Sequence, residues 1–259
     1  MLHGFPIQAF WGSPLLSVPL PKALCEAEKH RRASSAGAFW RSALLFGVTG
    51  GVMLLAWHLF LPAAQANDME VLRPLANGAF ASFVVALSLV FVGRYRVEWL
   101  PVIAPLYTVF AGFFLAGLSL TAEARFPGIA LNTLLATAGV FMLMAAGYAM
   151  RWFTPTARFR ALVFSVTAGI GLVYLAAFGL ALVGIRIPFI HDGGWGGILW
   201  TGFICTVAAM HLLIDFAAIE RLDSEERSVY MEWYVALGLM VTLVWTYLFV
   251  LRLLQQLRR

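Results

Sequence analysis

Apolar runs alternate with short polar loops along most of the 259 residues of the chain. An apolar run of roughly 20 residues, folded as a helix, is long enough to cross the hydrocarbon core of a bilayer. The runs predict spans at 39–62, 74–93, 100–121, 127–149, 159–184, 194–219 and 229–254. The sequence therefore predicts an all-α integral membrane protein, a bundle of seven transmembrane helices in contact with the lipid bilayer.

The composition excludes an ordinary soluble domain. The chain is 61% hydrophobic and only 12% charged, whereas soluble domains average about 25% charged residues. The net charge of +5 comes mainly from arginines in short loops between the apolar runs. Because no basic cluster with interleaved aromatic residues is present, we do not expect nucleic-acid binding.

The chain is predicted to contain two regions. Residues 1–38 form an irregular N-terminal tail, because four prolines interrupt every short apolar stretch there. Residues 39–259 form the seven-helix transmembrane domain, and no segment remains for a second, soluble domain.

The orientation follows from the distribution of Lys and Arg between the two sides of a seven-span chain. One side, which includes the N-terminus, holds twelve basic residues: Lys22, Lys29, Arg31, Arg32, Arg41, Arg94, Arg96, Arg151, Arg158, Arg160, Arg221 and Arg227. The opposite side holds six: Arg73, Arg125, Arg186, Arg252, Arg258 and Arg259. The positive-inside rule therefore predicts a cytoplasmic N-terminus.

Two pairs of small residues predict close helix packing. Gly47 with Gly51, and Gly112 with Ala116, each place small residues four positions apart on one helix face. Such faces let backbones approach closely inside a membrane. We expect them to serve packing within the chain rather than dimerisation.

Enzyme motifs are absent from the sequence. It contains no HExxH, no G-x-S-x-G, no phosphate-binding loop and no CxxC pair. The five histidines are scattered and form no ligand-type spacing. We therefore do not expect an enzyme or a resident metal cofactor.

Acidic residues are concentrated in and around the last two spans. Six of the thirteen acids occur there: Asp215, Glu220, Asp223, Glu225, Glu226 and Glu232. Asp223, Glu225 and Glu226 share a loop with arginines, which is typical of a solvated turn. Asp215 and Glu232 differ, because each is flanked by apolar helix. An acid within a span costs ~2.5–3.5 kcal/mol at its centre.

Two interpretations of these acids stay open. In the structural one, Asp215 anchors an arginine or caps a helix end, and Glu232 lies at the membrane interface. In the functional one, Asp215, Glu220 and Glu232 converge near the cytoplasmic mouth, share protons and bind a cation. His211, four residues before Asp215, lies on the same helical face and is a proton-linked neighbour in that interpretation.

Several stretches resemble the bacterial YccA-like branch of the Bax inhibitor/YccA family. They are EWLPVIAPLYTVFAGFFLAGLS, EARFPGIALNT and TPTARFRALVF upstream, then IPFIHDGGWGGI, HLLIDFAAIE and YMEWYVALGLMVTLVWTYL. The resemblance covers about residues 40–255. It implies a bundle whose last helix is surrounded by the other six, in a bacterial inner membrane.

The same resemblance implies a function and a site. Family members are associated with a pH-sensitive calcium leak, and in some bacteria with modulation of a membrane-bound AAA protease. The leak is attributed to two aspartates, one late in helix six and one in helix seven. Asp215 matches the first, but residues 240–242, where the second is expected, hold no acid. Glu232 is the remaining carboxylate of helix seven.

We therefore predict a calcium-conducting leak with Asp215 as its principal acid and possible calcium ligand. Glu232 and Glu220 are its candidate partners, and His211 is its candidate proton-linked neighbour. The alternative is a non-transporting regulator that binds a membrane protease or another membrane partner, and the missing second aspartate favours it.

Overall fold

The computed structural model describes residues 33–182, 194–223 and 228–258. These residues form seven long helices: α1 (Ser35–Gln65), α2 (Met69–Tyr95), α3 (Leu100–Glu123), α4 (Ile129–Ala149), α5 (Ala157–Leu182), α6 (Trp195–Arg221) and α7 (Tyr230–Leu257). A short 3₁₀ turn, Val97–Trp99, precedes α3. All seven helices in the described part are long and apolar enough to cross a membrane, which confirms the predicted fold class.

The helices begin and end within five residues of the predicted spans, and the differences have local causes. α1 begins four residues before its predicted span because Ser34 caps it, accepting a hydrogen bond from the Gly37 N–H at 3.0 Å. α2 begins five residues early because Asp68 caps it, accepting from the Glu70 N–H at 2.9 Å. Both caps are polar residues that satisfy free N–H groups outside the apolar run. The part of the predicted tail before residue 33 lies outside the described residues.

The last helix lies at the centre of the bundle. The most apolar segments of α3 and α7 are each 61% buried within the protein, against 17–22% for α1, α2, α4 and α5. α7 packs against α1, α3, α4 and α6. The buried hydroxyls of Ser119 on α3 and Tyr247 on α7 are 2.7 Å apart and form a hydrogen bond.

α2 and α5 lie at the periphery rather than directly around α7. α2 packs mainly against α3, and α5 packs chiefly against α6. α5 also reaches α7 through Tyr174, whose hydroxyl accepts a hydrogen bond from Arg252 at 3.2 Å. The outer faces of α1, α4 and α5 expose large apolar side chains such as Leu54, Leu135 and Leu172, as lipid-facing helices do.

Only one of the two small-residue faces packs inside the protein. A Cβ at Gly112 would lie 2.9 Å from the Thr49 carbonyl oxygen and 3.1 Å from the Val52 Cβ, so α1 and α3 approach closely there. A Cβ at Gly47 or Gly51 would meet no atom within 4 Å. The expected packing within the chain is therefore confirmed for Gly112 and is wrong for Gly47 and Gly51, which face away from the bundle.

This difference predicts opposite outcomes for two alanine substitutions. Gly112→Ala forces α1 and α3 apart, and we expect it to lower the free energy of unfolding by about 1–3 kcal/mol, the usual cost of overpacking. Gly47→Ala, on the exposed face of α1, is expected to change the free energy of unfolding little. Reversible unfolding in mixed detergent–SDS micelles measures both variants. Equal losses would show that the α1–α3 approach at Gly112 is not tight.

Candidate functional site

A cavity of about 300 Å³ lies between α2 on one side, α6 on the other and α7 beneath. Its walls are mostly apolar, with contributions such as Phe83, Val90 and Val241. The polar and ionisable side chains on its walls are Arg94, Tyr95, Tyr107, Arg160, His211, Asp215, Arg221, Tyr234 and Thr242. The predicted principal acid therefore lines an internal cavity.

Asp215 faces α7 at a position where the two helices come close together. Its Oδ2 atom is buried without a hydrogen-bond partner. A Cβ at Gly238 would lie 3.9 Å from its Oδ1 atom, so the α7 backbone passes beside the carboxylate. The Thr242 hydroxyl, which donates to the Gly238 carbonyl oxygen at 3.2 Å, is within hydrogen-bonding reach of it.

Thr242 of α7 stands near Asp215, in the segment where the family resemblance predicts the aspartate of helix seven. It belongs to residues 240–242, where the family resemblance places the acid of helix seven. The side chain beside Asp215 is therefore a neutral hydroxyl, and the site holds one carboxyl group where an aspartate pair would hold two.

His211 lines the same cavity, one turn before Asp215 on α6. Its Nε2 atom is 2.7 Å from the Thr167 hydroxyl of α5, and its ring packs edge-on against Phe164. A smaller cavity of about 30 Å³ continues between Thr167, His211 and Thr242. Asp215, Thr242, His211 and Thr167 thus form a polar strip along the α5–α6–α7 contact, within otherwise apolar helices.

Glu232 occupies a different place and braces α1 against α7. It is 5% exposed and forms an ion pair with Arg41 of α1. Its carboxylate also accepts a hydrogen bond from the Ser34 N–H at 2.7 Å. Arg41 donates in addition to the Val229 carbonyl oxygen at 2.9 Å, and its guanidinium lies 5.0 Å from the centre of the Trp233 ring. Glu232 is therefore a structural anchor in this conformation.

Glu220 is exposed and accepts a hydrogen bond from the Tyr148 hydroxyl of α4. Five residues separate it from Asp215, which places the two side chains about 140° apart around α6. Neither Glu220 nor Glu232 lines the cavity. The structure thus brings Asp215 and His211 to one cavity, but the convergence of Asp215 with Glu220 and Glu232 is not observed.

Three arginines line the rim of the cavity, and no motif in the sequence indicates them as site residues. Arg94 lies at the end of α2, Arg160 near the start of α5 and Arg221 at the end of α6. The span order placed all three on one side of the membrane. Their convergence was not predictable, because it depends on how the helices pack side by side.

Of the three acids in the α6–α7 loop, Asp223 lies within the part of the chain that the structure describes. Glu225 and Glu226 lie outside the described residues. Asp223 is fully exposed and accepts a hydrogen bond from the Ser35 N–H at 2.8 Å, which links the α6–α7 loop to the start of α1. The hydroxyl and the N–H of Ser35 hold the pKa of Asp223 below its usual value.

The lowered pKa predicts how Asp223 contributes to stability. Because the folded-state value lies below the unfolded value of ~3.9, the contribution is present above that unfolded value and is lost as pH falls through the folded one. We expect Asp223→Ala to flatten the acid side of the stability–pH curve slightly. Thermal unfolding of wild type and variant between pH 3 and pH 7 measures this, and parallel curves would contradict it.

Among the described residues, no group of three or more His, Cys, Asp or Glu side chains could hold a metal ion. Asp215 is accordingly a single carboxylate on the cavity. A cation there would keep most of its ligands as water, since Ca²⁺ takes 6–8 oxygen atoms.

A buried last helix within a bundle of seven apolar helices and a lone carboxylate on a cavity between the described helices define a polytopic helical membrane protein with an ionisable site. The family model described as Bax inhibitor 1 like matches residues 17–259. The chain therefore belongs to the Bax inhibitor 1 like family. No curated protein and no solved structure matched the chain. Membership of the YccA-like branch stays a prediction.

Proposed function

We propose that this protein is a pH-sensitive cation leak with calcium as the transported ion. The observation that carries the proposal is Asp215, which lines the α2–α6–α7 cavity and whose Oδ2 atom is buried without a hydrogen-bond partner. Ionisable residues within membrane helices typically face cavities and mark ion or proton pathways.

The chemistry of such an oxygen explains the expected pH dependence. A buried carboxylate oxygen with no internal partner is satisfied by a proton or by a cation. Because the two ligands compete for the same atom, the occupancy of the site by calcium depends on pH. His211, on the same cavity, adds a second polar group near the carboxylate.

The small number of protein ligands favours passage of calcium over tight binding. Asp215 offers one carboxylate, and Thr242 adds one hydroxyl. A calcium ion held by so few protein oxygens is bound weakly, and conduction requires binding that is weak enough for release.

Calcium flux into proteoliposomes tests the proposal. Purified protein is reconstituted, and entry of calcium is followed with an internal fluorescent indicator across pH 5–8. We expect flux well above that of protein-free vesicles, with a rate that changes with pH. Flux equal to that of empty vesicles at every pH would contradict the proposal.

The second candidate function is a non-transporting regulator that binds another membrane protein, such as a membrane-bound AAA protease. Two observations favour it: Asp215 is the single carboxylate among the described residues that line the cavity, and its rim is lined by Arg94, Arg160 and Arg221 rather than by acids, whereas cation pathways are typically lined by acids. Crosslinking and co-purification from native membranes test this candidate. A partner that stays bound to an Asp215→Asn variant would support it, and the absence of any specific partner would oppose it.

The location is part of the same proposal. The arginine distribution supports a cytoplasmic N-terminus, and the YccA-like resemblance supports a bacterial inner membrane. Reporter fusions to each end of the chain test the orientation. A C-terminal reporter active in the cytoplasm would contradict the proposed orientation, and reporters active on the same side at both ends would contradict the seven-span assignment.

A further inference from the structure

The cavity is open sideways, toward the position of the bilayer. α2 packs mainly against α3 and does not pack extensively against α5, α6 or α7. The gap exposes part of the central helix: Trp245, in the middle of α7, is 37% exposed. On the facing wall, Leu87 and Phe91 of α2 are 46% and 50% exposed. The cavity is therefore a lateral groove with α7 as its floor.

The groove has the dimensions of a lipid chain. Its α7 floor runs from Met231 to Leu248, and its α2 wall runs from Phe83 to Tyr95. At ~1.5 Å per residue these lengths are about 25 Å and 18 Å. One leaflet of hydrocarbon is about 15 Å thick, half of a ~30 Å core. A single acyl chain that enters from the rim therefore fits along the groove.

The rim carries guanidinium groups, which are the side-chain groups that bind an anionic headgroup. Arg94, Arg160 and Arg221 come from three different helices and line the groove where α2 and α6 end and α5 begins. Arg160 and Arg221 are close enough to repel each other electrostatically. An anion between them removes that repulsion, and guanidinium groups bind phosphate through paired, charge-assisted hydrogen bonds.

We propose that the groove between α2 and the α5–α6 pair binds an anionic phospholipid. One acyl chain lies along α7, the phosphate contacts Arg160 and its arginine neighbours, and the second chain stays in the bilayer. The apolar lining, the sideways opening and the arginine rim each match one part of this ligand.

The bound lipid has a consequence for Asp215, and this consequence alone rests on the proposed function. Asp215 lies six residues from Arg221 on α6, about 9 Å along the helix axis. A chain lodged in the groove covers Asp215 from the bilayer, and the phosphate lies at the arginine rim. The lipid thus controls access of cations to the carboxylate.

Lipid binding is measured without reference to transport, so its failure is separable from failure of the leak. Native mass spectrometry of the purified chain counts bound phosphatidylglycerol and phosphatidylcholine after titration with each lipid. We expect phosphatidylglycerol to bind at least several-fold more tightly than phosphatidylcholine. Equal affinities would overturn the proposal.

Two arginines on α5 provide the matched pair of variants. Arg160 is half-buried at the rim, whereas Arg158, two residues earlier, is exposed and does not line the groove. Arg160→Gln is expected to weaken phosphatidylglycerol binding about tenfold, the scale of one lost charge-assisted contact. Arg158→Gln is expected to leave it within about twofold. Equal losses would show that the lipid follows general surface charge and would overturn the site.

Two further measurements test whether an acyl chain occupies the groove. They do not depend on whether the Arg160→Gln variant folds. Leu87→Trp narrows the groove from its exposed α2 wall and is expected to weaken lipid binding, whereas Leu54→Trp on the outer face of α1 is not. Glycerol phosphate, which carries the headgroup without chains, is expected to compete poorly. Equal effects of the two tryptophans, or full competition by glycerol phosphate, would overturn the acyl-chain assignment.

Discussion

Replacing Glu232 by glutamine is expected to lower the free energy of unfolding by about 3 kcal/mol. The substitution keeps the shape of the side chain but leaves the Arg41 guanidinium without its countercharge. The side chains of Glu232 and Arg41 are 6% and 21% exposed, so water replaces the lost interaction poorly. The value lies at the lower end of the range for buried pairs because Arg41 keeps some solvent contact and its bond to the Val229 carbonyl oxygen.

Matched variants separate this anchor from a general effect of losing an acid. Glu220→Gln removes an exposed carboxylate that is bonded to Tyr148, and we expect it to cost less than about 1 kcal/mol. Arg41→Gln combined with Glu232→Gln completes a double-mutant cycle, in which the double variant should lose less than the sum of the two single losses. Additive losses, measured by reversible unfolding in mixed micelles, would show that the pair is not coupled.

Hydropathy alone was sufficient to predict the helices, because each span is set by local apolar length. The starts of α1 and α2 needed the caps at Ser34 and Asp68, which a hydropathy pattern assigns to loops. The central position of α7 was implied by the family resemblance rather than by the residues. In the structure, the central position of α7 is shown by its burial, which equals that of α3 and exceeds that of the other helices.

The candidate site was only partly predictable. Asp215 stood out because an acid inside an apolar helix is costly, and it does line a cavity. Glu232 stood out for the same reason, but its partner Arg41 lies far away in sequence. A pattern within one helix identifies a costly charge and cannot tell which other helix neutralises it.

Asp215→Asn is expected to remove most of the calcium flux in proteoliposomes, with a loss of at least about tenfold, or about 1.4 kcal/mol at the barrier. Asparagine has nearly the same shape and keeps one oxygen for Thr242, but it carries no charge and does not exchange a proton in this pH range. The variant should therefore also lose the pH dependence of any residual flux. Its fold should stay intact, because Asp215 forms no ion pair in the described part of the chain.

The most direct test compares Asp215→Asn with Asp223→Asn and wild type in one set of proteoliposomes across pH 5–8. Asp223→Asn makes the same substitution at an exposed residue just after α6, outside the cavity. The account predicts strong, pH-dependent flux for wild type and Asp223→Asn, and little flux for Asp215→Asn. Equal flux from all three proteins would contradict the assignment of Asp215 as the cation site.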